Sequence, residues 1–141
     1  MPISAENRKR YPKDWQAIRI AILERAENRC EFCGVPNHAW IVRDHGPTGA
    51  TFILVNTGAV HDATTGELLG YAARHDLAGR KRTEVILTTA HLDHTPEHND
   101  PANLRALCCR CHLLHDAPHH RQSAWRHRRA DKAWGDLFDR E

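Results

Sequence analysis

Thr89-Ala90-His91-Leu92-Asp93-His94, then Asn103-Leu104, then Leu107-Cys108-Cys109-Arg110-Cys111-His112, is the stretch on which the fold turns. It holds an Asp-His pair, an Asn nine residues after that His, and another His nine residues further on. Woven into it is a Cys-x-x-Cys unit, Cys108 and Cys111, and a second unit, Cys30 and Cys33, lies upstream in Asn28-Arg29-Cys30-Glu31-Phe32-Cys33-Gly34. Each unit can set two thiolates on one metal from a tight knuckle, and four thiolates make the closed tetrahedral shell of structural Zn2+. One ion would then tie the N-terminal part of the chain to the segment around His112. Cys109 stays outside, because shifting the ligand frame by one residue spoils the spacing. The competing readings are four reduced core cysteines, or a redox pair. Neither unit sits in the βα setting of a thioredoxin-like site.

The chain has 141 residues, 40% hydrophobic and only 6% aromatic, which suits one domain over 1–141 with a modest core and a metal helping to hold it. The first ten residues contain no apolar h-region, and no apolar run approaches membrane-spanning length, so a cytoplasmic protein with no membrane partner is expected. In that compartment, cysteine pairs are more often metal ligands or redox groups than structural disulfides. Net charge is only +2, but it is unevenly placed. Arg8, Lys9, Arg10 and Lys13 cluster early; Arg121, Arg126, Arg128, Arg129 and Lys132 cluster late. Such local basic surfaces attract phosphate, although a solvated helix face explains them equally well.

The expected architecture is α+β. Asp14 reads as an N-cap, and Trp15, Ile18 and Ile22 share a face, so a first helix is expected from about Asp14 to Asn28. Gly34-Val35-Pro36 closes the first knuckle. The middle, 51–83, reads as a strand and hairpin insertion. Thr51–Val55 is rich in β-formers, and Ala59–Asp62 and Leu68–Tyr71 flank the turn 63–67. A strand from Glu84 to Ala90 leads into the Asp-His pair. After His112 a short helix should run until Pro118 stops it. A last, basic helix over 119–141 should then pack through Ala130, Ala133, Trp134, Leu137 and Phe138.

On these motifs, 28–34 and 84–116, the chain resembles the HNH endonucleases of the four-cysteine, ββα-metal type. The resemblance implies a ββα-metal core carrying structural zinc knuckles, with the hairpin insertion and flanking N- and C-terminal helices added to it. It implies hydrolysis of DNA phosphodiester bonds with Mg2+ or Mn2+, leaving 5′-phosphate and 3′-hydroxyl ends. His94 matches the general base, a role that imidazole chemistry also favours near neutral pH. Asp93 matches a ligand of the catalytic cation and His112 the final His, a second ligand. Asn103 matches the central Asn, which holds the loop and orients the base. His115 and Asp116, three and four residues after His112, can each add a third ligand on the same helix face, Asp116 being preferred. Two carboxylates and one imidazole would suit Mg2+ or Mn2+ better than a second zinc.

Neighbouring residues of a strand point to opposite faces, so the strand must end or bulge at Asp93–His94 if both are to reach one site. His91 is expected to be mainly structural, and His38, His61, His75, His119 and His120 belong to no motif. The chain departs from the common family pattern in a glycine-free spacer, 95–100, and in His115 where Lys or Asn is common. Arg126, Arg129 and Lys132 are candidate contacts to the DNA backbone. The alternative is a zinc-stabilised module that binds nucleic acid without cutting it.

Overall fold

The computed structural model describes residues 4–44 and 49–138, with side chains described as far as residue 129. Helix α1, Ala5–Arg8, is a single turn capped by Ser4, whose Oγ accepts the Asn7 amide. Helix α2 follows at Trp15–Arg25 and turns Ile22 into the core, with Trp15 and Ile18 packed beside it. Asp14 stands at its N-cap position but makes no side-chain capping bond. The helix ends before Asn28 because Glu27 and Asn28 both take left-handed backbone, at φ 53° and 58°. That double reversal delivers the chain into Cys30.

The architecture is mixed α+β. Strands β1 (Trp40–Arg43), β2 (Thr51–Leu54), β3 (Ala59–Asp62), β4 (Leu68–Tyr71) and the short β5 (Thr83–Glu84) form one antiparallel sheet in the order β4-β3-β2-β1-β5. Strand alternation splits its buried residues between two cores. Ile41 and Phe52 join the larger one, with Ile22, Val35, Leu87, Leu104, Leu107 and the cysteines. Val42 and Ile53 face Leu77 of a short 3-10 turn on the other side.

The strand expected over Glu84–Ala90 is divided. Thr83 and Glu84 pair with β1, whereas β6, Thr88–His91, pairs with β7, Leu104–Leu107, in a separate antiparallel hairpin. Between them the chain changes partner: the Val85 amide donates to Ala39 O at 2.8 Å and the Leu87 amide to Asn37 Oδ1 at 3.0 Å. Helix α3, Cys109–Phe138, follows β7 directly.

Pro118 does not stop this helix, contrary to expectation. The amide that proline lacks would have bonded the Leu114 carbonyl, and Leu114 is 45% exposed. Water can satisfy the freed carbonyl there, so the helix continues through it. The basic 119–141 segment is therefore the second half of α3 as far as Phe138. The expected packing stripe from Ala130 onward, and Lys132, lie outside the residues whose side chains are described.

Candidate metal centre and its neighbouring histidines

Cys30, Cys33, Cys108 and Cys111 are each 1–5% exposed, and their four Sγ atoms lie within 4.8 Å of one another. The first pair is set by a knuckle in which the Cys30 amide donates to Val35 O and the Gly34 amide to Cys30 O, both at 2.9 Å. The second pair straddles the start of α3, with the Cys108 amide directed at Cys30 Sγ, 3.4 Å away. Cys33 and Cys108 sulfurs are 3.7 Å apart. A disulfide needs about 2.05 Å, whereas two thiolates on one tetrahedral zinc, at Zn–S of about 2.3 Å, stand about 3.8 Å apart. The spacing fits the metal, and the buried four-cysteine group could hold a zinc ion. Cys109 is exposed and stands outside the group.

Four thiols this close share protons unevenly. Donation from Cys111 pulls the Cys108 thiol down to about 6, Cys30 is pulled down further by Cys108 and Cys111, and Cys33 and Cys111 are pushed up. Arg43 Nη2 lies 3.7 Å from Cys108 Sγ, a cation set against the cluster's negative charge.

A second group gathers where the β6–β7 hairpin meets α3. Strand β6 ends at His91, and His94 takes left-handed backbone at φ 59°, a region His tolerates better than most residues. The turn aims its ring at α3. His94 Nδ1 lies 3.2 Å from Asp116 Oδ1, and His112 Nε2 lies 3.0 Å from Asp116 Oδ2. His94, His115 and Asp116 offer ligand atoms within 4.8 Å of one another. Thr88 Oγ1 sits 3.1 Å from His112 Nδ1, which leaves Nε2 for Asp116 or a cation. His115 Nε2 is 3.0 Å from Leu92 O, fastening the loop to the helix. The His94 ring stacks with His119, at 4.4 Å, and with His115, at 5.3 Å. Partial burial lowers the His94 pKa; Asp116 opposes this and the neighbouring imidazoles reinforce it.

Asp93 goes elsewhere. Its Oδ1 accepts from Asn103 Nδ2 and the Thr95 amide, both at 2.9 Å, and its Oδ2 meets His98 Nδ1 at 2.6 Å. His98 first, then Asn103, hold this carboxyl well below the usual carboxylate range. Asn103 is only 8% exposed; its Oδ1 accepts the Asp93 amide and its Nδ2 also donates to His98 O. These bonds fix the loop 93–98, and none of them goes to the His94 ring. The turn at Asp93–His94 therefore separates the two side chains rather than converging them. Asp93 joins Asn103 and His98, while His94 joins His112, His115 and Asp116.

His91 is buried, stacked on Trp15 at 5.2 Å, edge-on to Tyr11, and 2.9 Å from Asn99 Oδ1 through Nε2. Arg126 and Arg129 are exposed on α3, and Arg129 lies over the Trp125 ring at 5.0 Å.

Nothing in the sequence pattern points to His98 or Thr88, which meet their partners only through the fold. For His119 a signal exists: His112, His115, Asp116 and His119 follow i, i+3, i+4, i+7 spacing, one face of a helix. A helix stop at Pro118 hides it. The chain matches no family model, no curated protein and no solved structure.

Proposed function

We propose that this chain is a metal-dependent endonuclease of the HNH kind, hydrolysing DNA phosphodiester bonds through water activated by a histidine. The observation that carries the reading is the meeting of His94 with Asp116 and His112 on one helix face, beside a buried four-cysteine knuckle. A divalent cation held by Asp116 and His112 would offset charge on the phosphorane and the leaving oxygen. His115 stands close enough to complete that shell, and His94 borders it. A donor set dominated by imidazole with one carboxylate suits Mn2+ better than Mg2+.

His94 supplies the base. Partial burial lowers its pKa and so favours the neutral ring, the form that can take the proton of the attacking water. Asn103 and Asp93 position this base through the backbone: together they hold the loop in which His94 makes its left-handed turn. Asp93 would enter the cation shell only by releasing His98. The exposed guanidinium groups of Arg126 and Arg129 can meet phosphates without reading sequence.

The test is plasmid cleavage by zinc-loaded protein with and without Mn2+ or Mg2+, alongside His94→Ala. Cation-dependent nicking or linearisation should fall by a factor of about 10²–10⁴ in the variant. Folded, zinc-loaded protein that binds plasmid and never cuts it would instead establish the zinc-stabilised binding module.

A further inference from the structure

Two confluent grooves run along the five-stranded sheet, away from the histidine cluster. The first, about 710 Å³, is bordered by Trp40 and His38; the second, about 470 Å³, by Arg74 and Leu77. Val55, Asn56 and Arg82 line both. Neither shares a residue with the candidate cation group, and among the described residues no Asp or Glu lines either of them.

The chemistry along this path is specific. Trp40 is 54% exposed on β1, an indole left uncovered beside a cleft. Arg74 and Arg82 are exposed. Of the acids on the flanking elements, Asp76 is bound by the Ala73 amide and Glu84 by His38. Both carboxylates lie outside the lining, Glu84 opposite Trp40 on β5, so the charged groups that line the clefts are Arg74 and Arg82. Asn56 is also exposed and offers an amide, able to donate and accept, at the junction of the two clefts.

An aromatic platform next to spaced guanidinium groups, with a polar amide between them, is the combination that binds unpaired nucleotides. The base stacks on the ring and the arginines track the phosphates. A duplex offers no free base face to such a platform. We infer that this groove binds a single strand of nucleic acid, one base on Trp40 and the adjoining phosphates on Arg82 and Arg74. Each cleft falls within the size range of small-ligand sites, about 300–1,000 Å³, enough for a base with its flanking phosphates. The inference needs neither strand cleavage nor a cation at Asp116. It gives the insertion between the two cysteine knuckles a function separate from the proposed active site.

The experiment is fluorescence anisotropy on the zinc-loaded full chain, without added Mg2+ or Mn2+, titrated into a labelled oligothymidine strand of about 12 nucleotides. A duplex of equal length is the comparison. Trp40→Ala should weaken strand binding about tenfold, the scale of one lost base–aromatic stack, and leave duplex binding unchanged. Trp40→Phe should regain most of it. The double variant Arg74→Ala/Arg82→Ala should flatten the dependence of log K on log salt by about 1.4, two phosphate contacts on a single strand. Zinc content and the thermal melt establish that each variant is folded. Strand binding untouched by Trp40→Ala in folded protein overturns the inference. So does an equal loss of strand and duplex affinity, which would mark the groove as general positive charge. Because His94 is intact throughout, a protein that cuts no plasmid can still pass this test, and one that cuts can fail it.

Discussion

Removing the metal from the four-cysteine group should unfold the protein rather than loosen one knuckle. All four thiols sit in the larger core, packed with Ile22, Val35, Leu104 and Leu107. The two pairs join the chain just after α2 to the start of α3. Structural zinc is worth about 10–16 kcal/mol of apparent binding free energy at neutral pH. At about 0.05–0.15 kcal/mol per residue, a chain of 141 residues has a total stability of roughly 7–21 kcal/mol. The metal term is as large as the whole, so little net stability remains without it. What remains also has to bury four thiols whose protons are unevenly shared. The assay is colorimetric zinc release under a strong chelator, followed in parallel by far- and near-ultraviolet circular dichroism. One zinc per chain should be released, with loss of near-ultraviolet signal and of the cooperative melt, and both should return on adding zinc. Cys108→Ser should behave in the same direction. Metal-free protein that melts cooperatively within about 3 °C of the zinc-loaded form, a difference near 1 kcal/mol at this size, would refute the reasoning.

Other consequences are more local. Arg110 is 6% exposed and donates to Gly49 O, Ala63 O and Thr64 Oγ1, so Arg110→Ala should cost about 3 kcal/mol and lower the melting temperature by about 10 °C. Arg110→Lys should rescue little, since one ammonium cannot span the three acceptors. The depressed Asp93 carboxyl contributes stability above the unfolded value of about 3.9 and loses it as pH falls toward the lower folded value. Acid melts of Asp93→Asn should therefore lack that part of the decline below about pH 4. His98→Ala releases Asp93 Oδ2, and cleavage assays should show a changed Mn2+ requirement if that carboxylate then reaches the cation. Unchanged Mn2+ dependence would confine Asp93 to holding the loop. Asn103→Ala strands the Asp93 amide and the His98 carbonyl, and should reduce cleavage while leaving zinc stoichiometry at one.

The sequence is most legible where spacing alone fixes geometry. Two Cys-x-x-Cys units place their sulfurs by local knuckle shape, and the structure gathers all four. The hairpin at 59–71 and the face of α2 follow from alternation and helical period in the same way. Side-chain direction is less legible. Asp93 and His94 diverge because of a positive φ at His94, which residue type permits but does not dictate. Pro118 misleads for a related reason: whether proline ends a helix depends on whether the freed carbonyl reaches water, a property of the surface and not of the local sequence. The change of partner between β5 and β6 is invisible because Val85, Ile86 and Leu87 continue an extended, apolar run through it.

Arg110 has a wider bearing. It is the residue before Cys111, yet its guanidinium reaches back to the turn between β3 and β4 and to Gly49. From the other side Gly66, at φ 77°, lies so close to the Cys33 carbonyl that no Cβ fits. The insertion is thereby clamped to both halves of the four-cysteine group. In native-state hydrogen exchange, amides of β2, β3 and β4 should open together with the first turn of α3, as one cooperative unit. Excising 51–83 to reach a smaller domain would remove the anchor of the helix that bears His112 and Asp116.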